Sequence, residues 1–98
     1  MVAGLAYIER VRRLPSQSTV TLQPERENKY FLHAIAVLAS GEKVGYVTPE
    51  VARRYYTKML DHPAPVSCSA RRASISDHQT SGVELLLDFS DLPVTPQE

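Results

Sequence analysis

The chain contains no tryptophan, a single cysteine and no long apolar run. The one cysteine, Cys68, excludes a disulfide within the chain and cannot build a cysteine-based zinc site by itself. We interpret it as a small buried side chain. No segment approaches the ~20 apolar residues that a membrane span needs, and residues 1–4 lack the features of a signal peptide. We therefore expect no membrane partner and a cytoplasmic location, or a nuclear one in a eukaryote.

Arrangements that support catalysis or cofactor binding are also missing. His33, His62 and His78 are spread along the chain without the spacing of metal ligands, and no GxxxxGK[ST] phosphate loop is present. The carboxylates are scattered, whereas a metal-dependent nuclease needs them to converge on rigid elements. We expect no catalytic residue, no metal and no cofactor, which favours a binding module over an enzyme.

The size and composition are those of one small globular domain. The chain has 98 residues, 43% of them hydrophobic and 22% charged, which is ordinary for a folded soluble domain and unlike a disordered chain. We predict a domain over residues 1–92. The last six residues, 93–98, include two prolines and are predicted to form a disordered tail.

The formal net charge is zero, but the charges are segregated along the chain. Residues 1–76 hold all eleven Lys and Arg against six acids, a net charge of +5, whereas residues 77–98 hold five acids and no base. A cationic binding face beside an acidic flank would produce this distribution. A final strand and tail with solubilising acids would produce it equally well, so both interpretations stay open.

Hydrophobic periodicity predicts a mainly β fold with one or two helices. We expect six short strands, at residues 2–12, 19–23, 30–39, 43–47, 66–70 and 83–89. The turn at residues 40–42 should join the third and fourth strands into a hairpin. Residues 25–29 are predicted to be a charged loop and residues 71–81 a long mobile one. Together these elements indicate a small antiparallel β-barrel of the SH3 or OB kind.

One helix has clear start and stop signals. Thr48 can cap it, Pro49 occupies the first helical position, and Glu50 suits the positive end of the helix dipole. Prolines at positions 63 and 65 end it. The apolar residues recur at helical spacing and predict a buried stripe of Val51, Ala52, Tyr55, Tyr56, Met59 and Leu60.

Aromatic and basic residues alternate outside this helix. Bases of single-stranded nucleic acid stack on aromatic faces while cations hold the phosphates. The candidates are the aromatics Tyr7, Tyr30, Phe31 and Tyr46 and the cations Arg10, Arg12, Arg13, Arg26, Lys29 and Lys43. The other interpretation is that these aromatics fill a core without tryptophan. For Tyr46 both interpretations stay open, whereas helical spacing explains Tyr55 and Tyr56 as core residues.

Several short motifs resemble the HIRAN domain family, a small β-barrel module. They are a charged-Asn-x-Tyr loop, an Ala-Ile-x-Val strand and a Gly-x-x-Val-Gly-Tyr-Val hairpin followed by a helix. In this chain they correspond to Glu27, Asn28 and Tyr30, then Ala34, Ile35 and Val37, then Gly41, Val44, Gly45, Tyr46 and Val47. Gly4, Leu5, Ala6 and Tyr7 resemble the opening strand of the family. The resemblance covers residues 2–60 well and the rest loosely.

The resemblance implies a non-catalytic module for single-stranded DNA or frayed DNA ends in repair or replication. It also implies binding of DNA 3′ ends, with a helicase or nuclease as a further partner. The residues expected to bind are Tyr7, Arg10, Arg12, Asn28, Lys29, Tyr30, Phe31, His33, Lys43 and Tyr46. Tyr7, Tyr30 and Tyr46 are expected to share one groove. A peptide-binding adaptor of the same fold remains the alternative.

Two positions depart from the family pattern. DNA-end-binding relatives carry an Asp after the loop tyrosine, where this chain has Phe31, and a phenyl ring cannot accept a hydrogen bond from a 3′-hydroxyl. His33 stands where the family often has Asn. We therefore expect stacking and charge to operate here without selectivity for a free 3′-hydroxyl. Phe31 should either turn into the barrel or line the groove.

Overall fold

The computed structural model describes residues 5–76, 81–90 and 92–96. Two helices and five strands follow one another along the chain. In order they are α1 (Leu5–Arg12), β1 (Gln17–Pro24), β2 (Ile35–Ala39), β3 (Glu42–Tyr46), α2 (Pro49–Asp61), β4 (Val66–Ser76) and β5 (Ser81–Asp88).

The strands form one antiparallel sheet in the order β3-β2-β1-β4-β5. Helix α1 contacts both β3 and β5, which are the two edge strands. A single helix can touch both edges only if the sheet curls toward itself, and the result is a half-barrel that α1 closes. The predicted fold class, mainly β with one or two helices in a small antiparallel barrel, is confirmed.

The core lies inside this curl. Its largest fully buried side chains come from α1 and all five strands, and they are Val11, Val20, Leu22, Ile35, Val37, Val44, Val66 and Leu85. Helix α2 adds Ala52, Tyr55 and Met59. The predicted stripe of α2 is therefore correct, with Val51 and Tyr56 packed partly buried at its margins.

The β2–β3 hairpin forms as the sequence predicts. Its two turn residues, Ser40 and Gly41, have φ angles of 52° and 82°. Two-residue hairpin turns with positive φ at both positions match the right-handed twist of the strands, and glycine adopts this conformation without steric cost. The same hairpin brings Tyr46 and the start of α2 beside the start of β2, which positions the site described below.

The first predicted strand is wrong, because residues 5–12 are helical. Val11 is fully buried and Tyr7 and Ile8 are half-buried, a spacing of three and four residues that gives a helix one apolar face. Arg10 and Arg12 lie in the last turn, where the helix dipole favours cations. This helix also reduces the number of strands from six to five. Gly4 lies outside the described residues.

The predicted strand over residues 30–39 begins only at Ile35. Residues 30–32 are exposed, and the backbone N–H groups of Tyr30 and Phe31 are held by the Asn28 side chain instead of a neighbouring strand. An Asn side chain that bonds the backbone two and three residues ahead makes a turn and competes with strand pairing.

The loop predicted over residues 71–81 is also wrong in its first half. Strand β4 continues to Ser76 and pairs with β5 as far as Ser76↔Ser81. The segment is polar, but both the backbone and the side chain of Arg72 are hydrogen-bonded to the chain just before β1. Its backbone N–H donates to Ser16 O at 2.9 Å, and its guanidinium donates to the carbonyls of Arg12 and Leu14 at 2.6 Å. Residues 77–80, which include His78, lie outside the described residues.

Beyond β5, Leu92 and Val94 pack partly buried against the core. The domain boundary at residue 92 and the disordered tail stay predictions. Neither described helix is long and apolar enough to cross a bilayer.

Candidate nucleic-acid interface

The site is built on residues 25–34, which we call the aromatic loop. The backbone N–H of Glu25 donates to the carbonyl of Ala34 at 2.9 Å and closes the loop at its base. Inside it, Asn28 Oδ1 accepts from the backbone N–H groups of Tyr30 and Phe31, both at 2.8 Å. Asn28 Nδ2 donates to Glu25 Oε1 at 3.1 Å. Four hydrogen bonds thus give the loop a defined shape at the point where it leaves the sheet.

The loop presents three consecutive large apolar side chains to solvent. Tyr30 is 88% exposed, Phe31 53% and Leu32 84%. Exposed apolar side chains that occur singly are normal, but a contiguous patch of them marks an interaction site. Of the two positions predicted for Phe31, in the barrel or along the groove, the structure therefore excludes the first, and its side chain lies at the surface.

A pocket of about 380 Å³ opens between the aromatic loop and the first turn of α2. Phe31 and Tyr46 face each other there with ring centroids 6.2 Å apart and planes tilted by 45°. His33 lines the same pocket and packs edge-on against Tyr56 at 5.2 Å. The structure thus brings together four of the predicted binding residues, which are Tyr30, Phe31, His33 and Tyr46.

Tyr46 is held in place by charged neighbours. Lys43 Nζ lies 2.9 Å from the Tyr46 hydroxyl and 5.0 Å from the ring centroid. The same ammonium donates to Glu25 Oε2 at 2.6 Å, so Lys43 links the aromatic loop to β3. Tyr46 is half-buried and also borders the pocket. It is therefore neither a fully buried core residue nor a fully exposed stacking residue, the two interpretations that the sequence left open.

This network shifts the pKa of both charged partners. Partial burial of Glu25 opposes its ionisation, but the hydrogen bonds from Lys43 and Asn28 outweigh it and lower the pKa of this carboxyl. The hydrogen bonds to Glu25 and Tyr46 raise the pKa of the Lys43 ammonium above its ordinary value. Both groups are therefore charged at neutral pH.

The predicted residues of α1 lie outside this pocket. Tyr7 is half-buried with the Arg10 guanidinium 5.7 Å from its ring centroid, and it does not line the pocket with Tyr30 and Tyr46. Arg10 donates to the backbone carbonyl of Lys43 at 2.8 Å. Arg12 lies 3.9 Å from the Glu9 carboxylate. Lys29 is exposed in the aromatic loop and forms no salt bridge within the described part of the chain.

Three residues of the site were missed by the sequence reasoning. Glu50 and Arg53 line the pocket from the first turns of α2. A signal for them exists, because only two residues separate β3 from α2, so the start of the helix must border the loop beside Tyr46. Glu25 had no such signal, since its partner Lys43 is 18 residues away.

Other potential chemistry in the molecule is sparse. Cys68 is buried, as predicted, and burial raises the pKa of its thiol. Among residues 5–76, 81–90 and 92–96, no group of three or more His, Cys, Asp or Glu side chains is placed to hold a metal ion.

Comparison of the sequence with known proteins identifies the family of the chain. No curated protein and no solved structure matches the chain significantly. One family model does match, that of the HIRAN domain, and it covers residues 1–88, which include both helices, all five strands and the whole of the aromatic pocket. The chain therefore belongs to the HIRAN domain family.

Proposed function

We propose that this protein is a non-catalytic module that binds single-stranded DNA, or the frayed end of a duplex, at the aromatic loop and its pocket. HIRAN domains form a family of DNA-binding modules, which supports nucleic-acid binding in general. Beyond this, we propose which kind of DNA is bound, which residues contact it and how they do so.

The observation that carries the proposal is the exposure of Tyr30 and Phe31 beside a pocket already bordered by Tyr46. Exposed aromatic faces around an apolar pocket are what unpaired bases need, since every base has a face that can stack. Each stacked base contributes about 1–3 kcal/mol by substitution of the aromatic residue with alanine, so two stacking rings would exceed any single phosphate contact.

Charge supports the same proposal. Residues 1–76 have a net charge of +5. Two of their cations are close to the site, because Arg53 lines the pocket and Lys29 lies on the aromatic loop. Cations that neutralise phosphates release bound counterions, so affinity for a single strand falls with salt at a slope of about −0.7 per phosphate neutralised. We propose Lys29 and Arg53 as phosphate contacts.

The experiment is a fluorescence anisotropy titration with labelled oligonucleotides of one sequence, either single-stranded, double-stranded or partly duplex with a frayed end. We expect single-stranded and frayed DNA to bind at low salt and to dissociate as salt approaches physiological strength. A preference for blunt duplex, or no binding at low salt, would refute the proposal. An RNA strand of the same sequence separates DNA from RNA recognition.

A second candidate is the binding of a peptide, and Leu32 is the observation that favours it. This side chain is 84% exposed next to the aromatic rings, and an aliphatic chain cannot stack on a base as an aromatic face does. A small apolar pocket also accepts peptide side chains. If oligonucleotides fail to bind while a partner protein copurifies and is released by Leu32→Ser, the peptide-binding function is the better one.

The cellular context follows as a further proposal. A module that holds single strands or 3′ ends would act in DNA repair or replication, alongside a helicase or nuclease activity supplied by another domain or another chain. Co-purification of such an activity with the tagged protein would test this point.

A further inference from the structure

Glu25 lies at the base of the aromatic loop and joins it to β3, a role that nothing in its sequence context indicates. Its Oε1 accepts from Asn28 at 3.1 Å and its Oε2 accepts from Lys43 at 2.6 Å. The first contact fixes the residue that shapes the aromatic loop, and the second fixes the residue that supports Tyr46. One carboxylate therefore links the aromatic loop, through Lys43, to Tyr46.

The side-chain ammonium of Lys43 is engaged in this network. Its ammonium binds Glu25 and the Tyr46 hydroxyl and lies against the Tyr46 ring. The side chains of Lys43 and Glu25 are only 29% and 26% exposed. An ammonium that is already paired with a carboxylate adds no net positive charge to neutralise a phosphate, so it would displace few of the cations condensed on the DNA.

We infer that Glu25 is a positioning residue, which holds the aromatic loop and Tyr46 in register through Lys43, and that Lys43 does not contact DNA phosphate. The inference rests on the proposed function, because it concerns how the same pocket is held ready for a base. It changes the role expected of Lys43 from the sequence, where it counts among the cations that hold the strand.

The salt dependence of binding separates a positioning residue from a phosphate contact. A charge-matched double variant, Glu25→Gln with Lys43→Gln, keeps the net charge of the chain and removes the link. We expect its affinity for a labelled single-stranded oligonucleotide to fall about fivefold, the equivalent of roughly one hydrogen bond, with an unchanged salt slope. The matched control is Lys29→Gln, which should lower the magnitude of that slope by about 0.7.

A second variant keeps the test decisive if the double variant is unstable. Tyr46→Phe retains the ring and every charge but removes the hydroxyl that Lys43 binds, so it should weaken binding with the salt slope intact. The titrations are made at a temperature at which thermal melts show every variant to be folded.

The outcomes distinguish this inference from the proposed function. If the unmodified protein binds the oligonucleotide but the double variant loses about 0.7 from the slope, Lys43 is a phosphate contact and the inference is overturned. If Tyr46→Phe and the double variant bind as tightly as the unmodified protein, the link through Glu25 does not affect binding and the inference is overturned. If the unmodified protein does not bind at low salt, the proposed function and the inference fall together.

Discussion

The exposed aromatic residues of the aromatic loop and the buried ones of the core differ in setting and therefore in expected role. On one side, Tyr30 and Phe31 stand in solvent on a loop whose shape is set by Asn28. On the other, Tyr55 is 8% exposed and stacks on Phe89 with ring centroids 5.1 Å apart and planes 22° apart. Aromatic content alone does not distinguish these two groups. Exposure does, and it predicts that the first group determines affinity and the second determines stability.

The largest expected effect is on the core side. Tyr55→Ala removes a buried ring from its stack on Phe89, and loss of a buried aromatic side chain costs about 3–5 kcal/mol of unfolding free energy. Urea denaturation followed by circular dichroism measures this loss. A change below about 1 kcal/mol would mean that Tyr55 is not a core residue and would contradict the contrast between buried and exposed aromatic residues.

On the exposed side, Tyr30→Ala should do the reverse. It removes a stacking face and should weaken single-strand binding by about 1–3 kcal/mol while the urea midpoint stays nearly constant. Anisotropy and denaturation are measured on the same preparation. Leu86→Ala offers a control on β5, since this apolar side chain is also exposed but does not line the pocket, and a drop in affinity as large as that of Tyr30→Ala would contradict the assignment.

A smaller effect is expected for Asn28→Ala. The substitution removes the acceptor of two backbone N–H groups and the donor to Glu25, each hydrogen bond being worth about 1 kcal/mol. Because Tyr30 and Phe31 are exposed, water can satisfy their released amides, so the loss should appear as loop disorder and weaker binding. Faster amide hydrogen exchange at Tyr30 and Phe31, with unchanged exchange in β1, is the expected measurement.

These differences also explain how much the sequence could predict. The β2–β3 hairpin and α2 were predicted because their signals are local, Ser40-Gly41 for the turn and Pro49 for the helix start. Helix α1 was not, because an eight-residue segment with imperfect alternation fits a strand as well as a helix. Its conformation depends on packing between β3 and β5, which are distant in sequence.

The same distinction applies to the site. Tyr30 and Tyr46 were predicted from motifs that resemble the family and Phe31 from the alternation of aromatic and basic residues, and the structure gathers all three around one pocket. Glu25 was missed, because a salt bridge to Lys43 across 18 residues has no periodic signature in the chain. Tyr7 was predicted to join the pocket because its segment was taken as a strand, and the helix places it elsewhere.

The smallest expected effect on stability is the pH dependence of the ion pair between Glu25 and Lys43. Because the folded pKa of Glu25 is lowered, its ion pair with Lys43 stabilises the fold above the ordinary carboxyl pKa of about 4.3, and this contribution is lost as pH falls through the lower folded value. The raised pKa of Lys43 means no loss until pH exceeds the ordinary lysine value. Glu25→Gln should cost up to about 1 kcal/mol at pH 7, and this cost should shrink as pH falls below the ordinary carboxyl value. A cost that does not change as pH falls would contradict it.

Oligonucleotide ends provide the finest comparison. Phe31 offers no acceptor for a 3′-hydroxyl, so ends with a free hydroxyl and with a phosphate should bind within a few-fold of each other. Competition titrations with the two oligonucleotides measure the ratio. A clear preference for the free hydroxyl would point to another acceptor. Glu50, which lines the pocket, is the first to test by Glu50→Gln.

The most direct measurement is an NMR titration of the labelled, unmodified protein with a short single-stranded oligonucleotide. The proposed interface predicts the largest amide and aromatic shifts at Tyr30, Phe31 and Tyr46, with Tyr55 and Phe89 nearly unchanged. Shifts confined to α1 around Tyr7 and Arg10, or an absence of shifts at low salt, would contradict it.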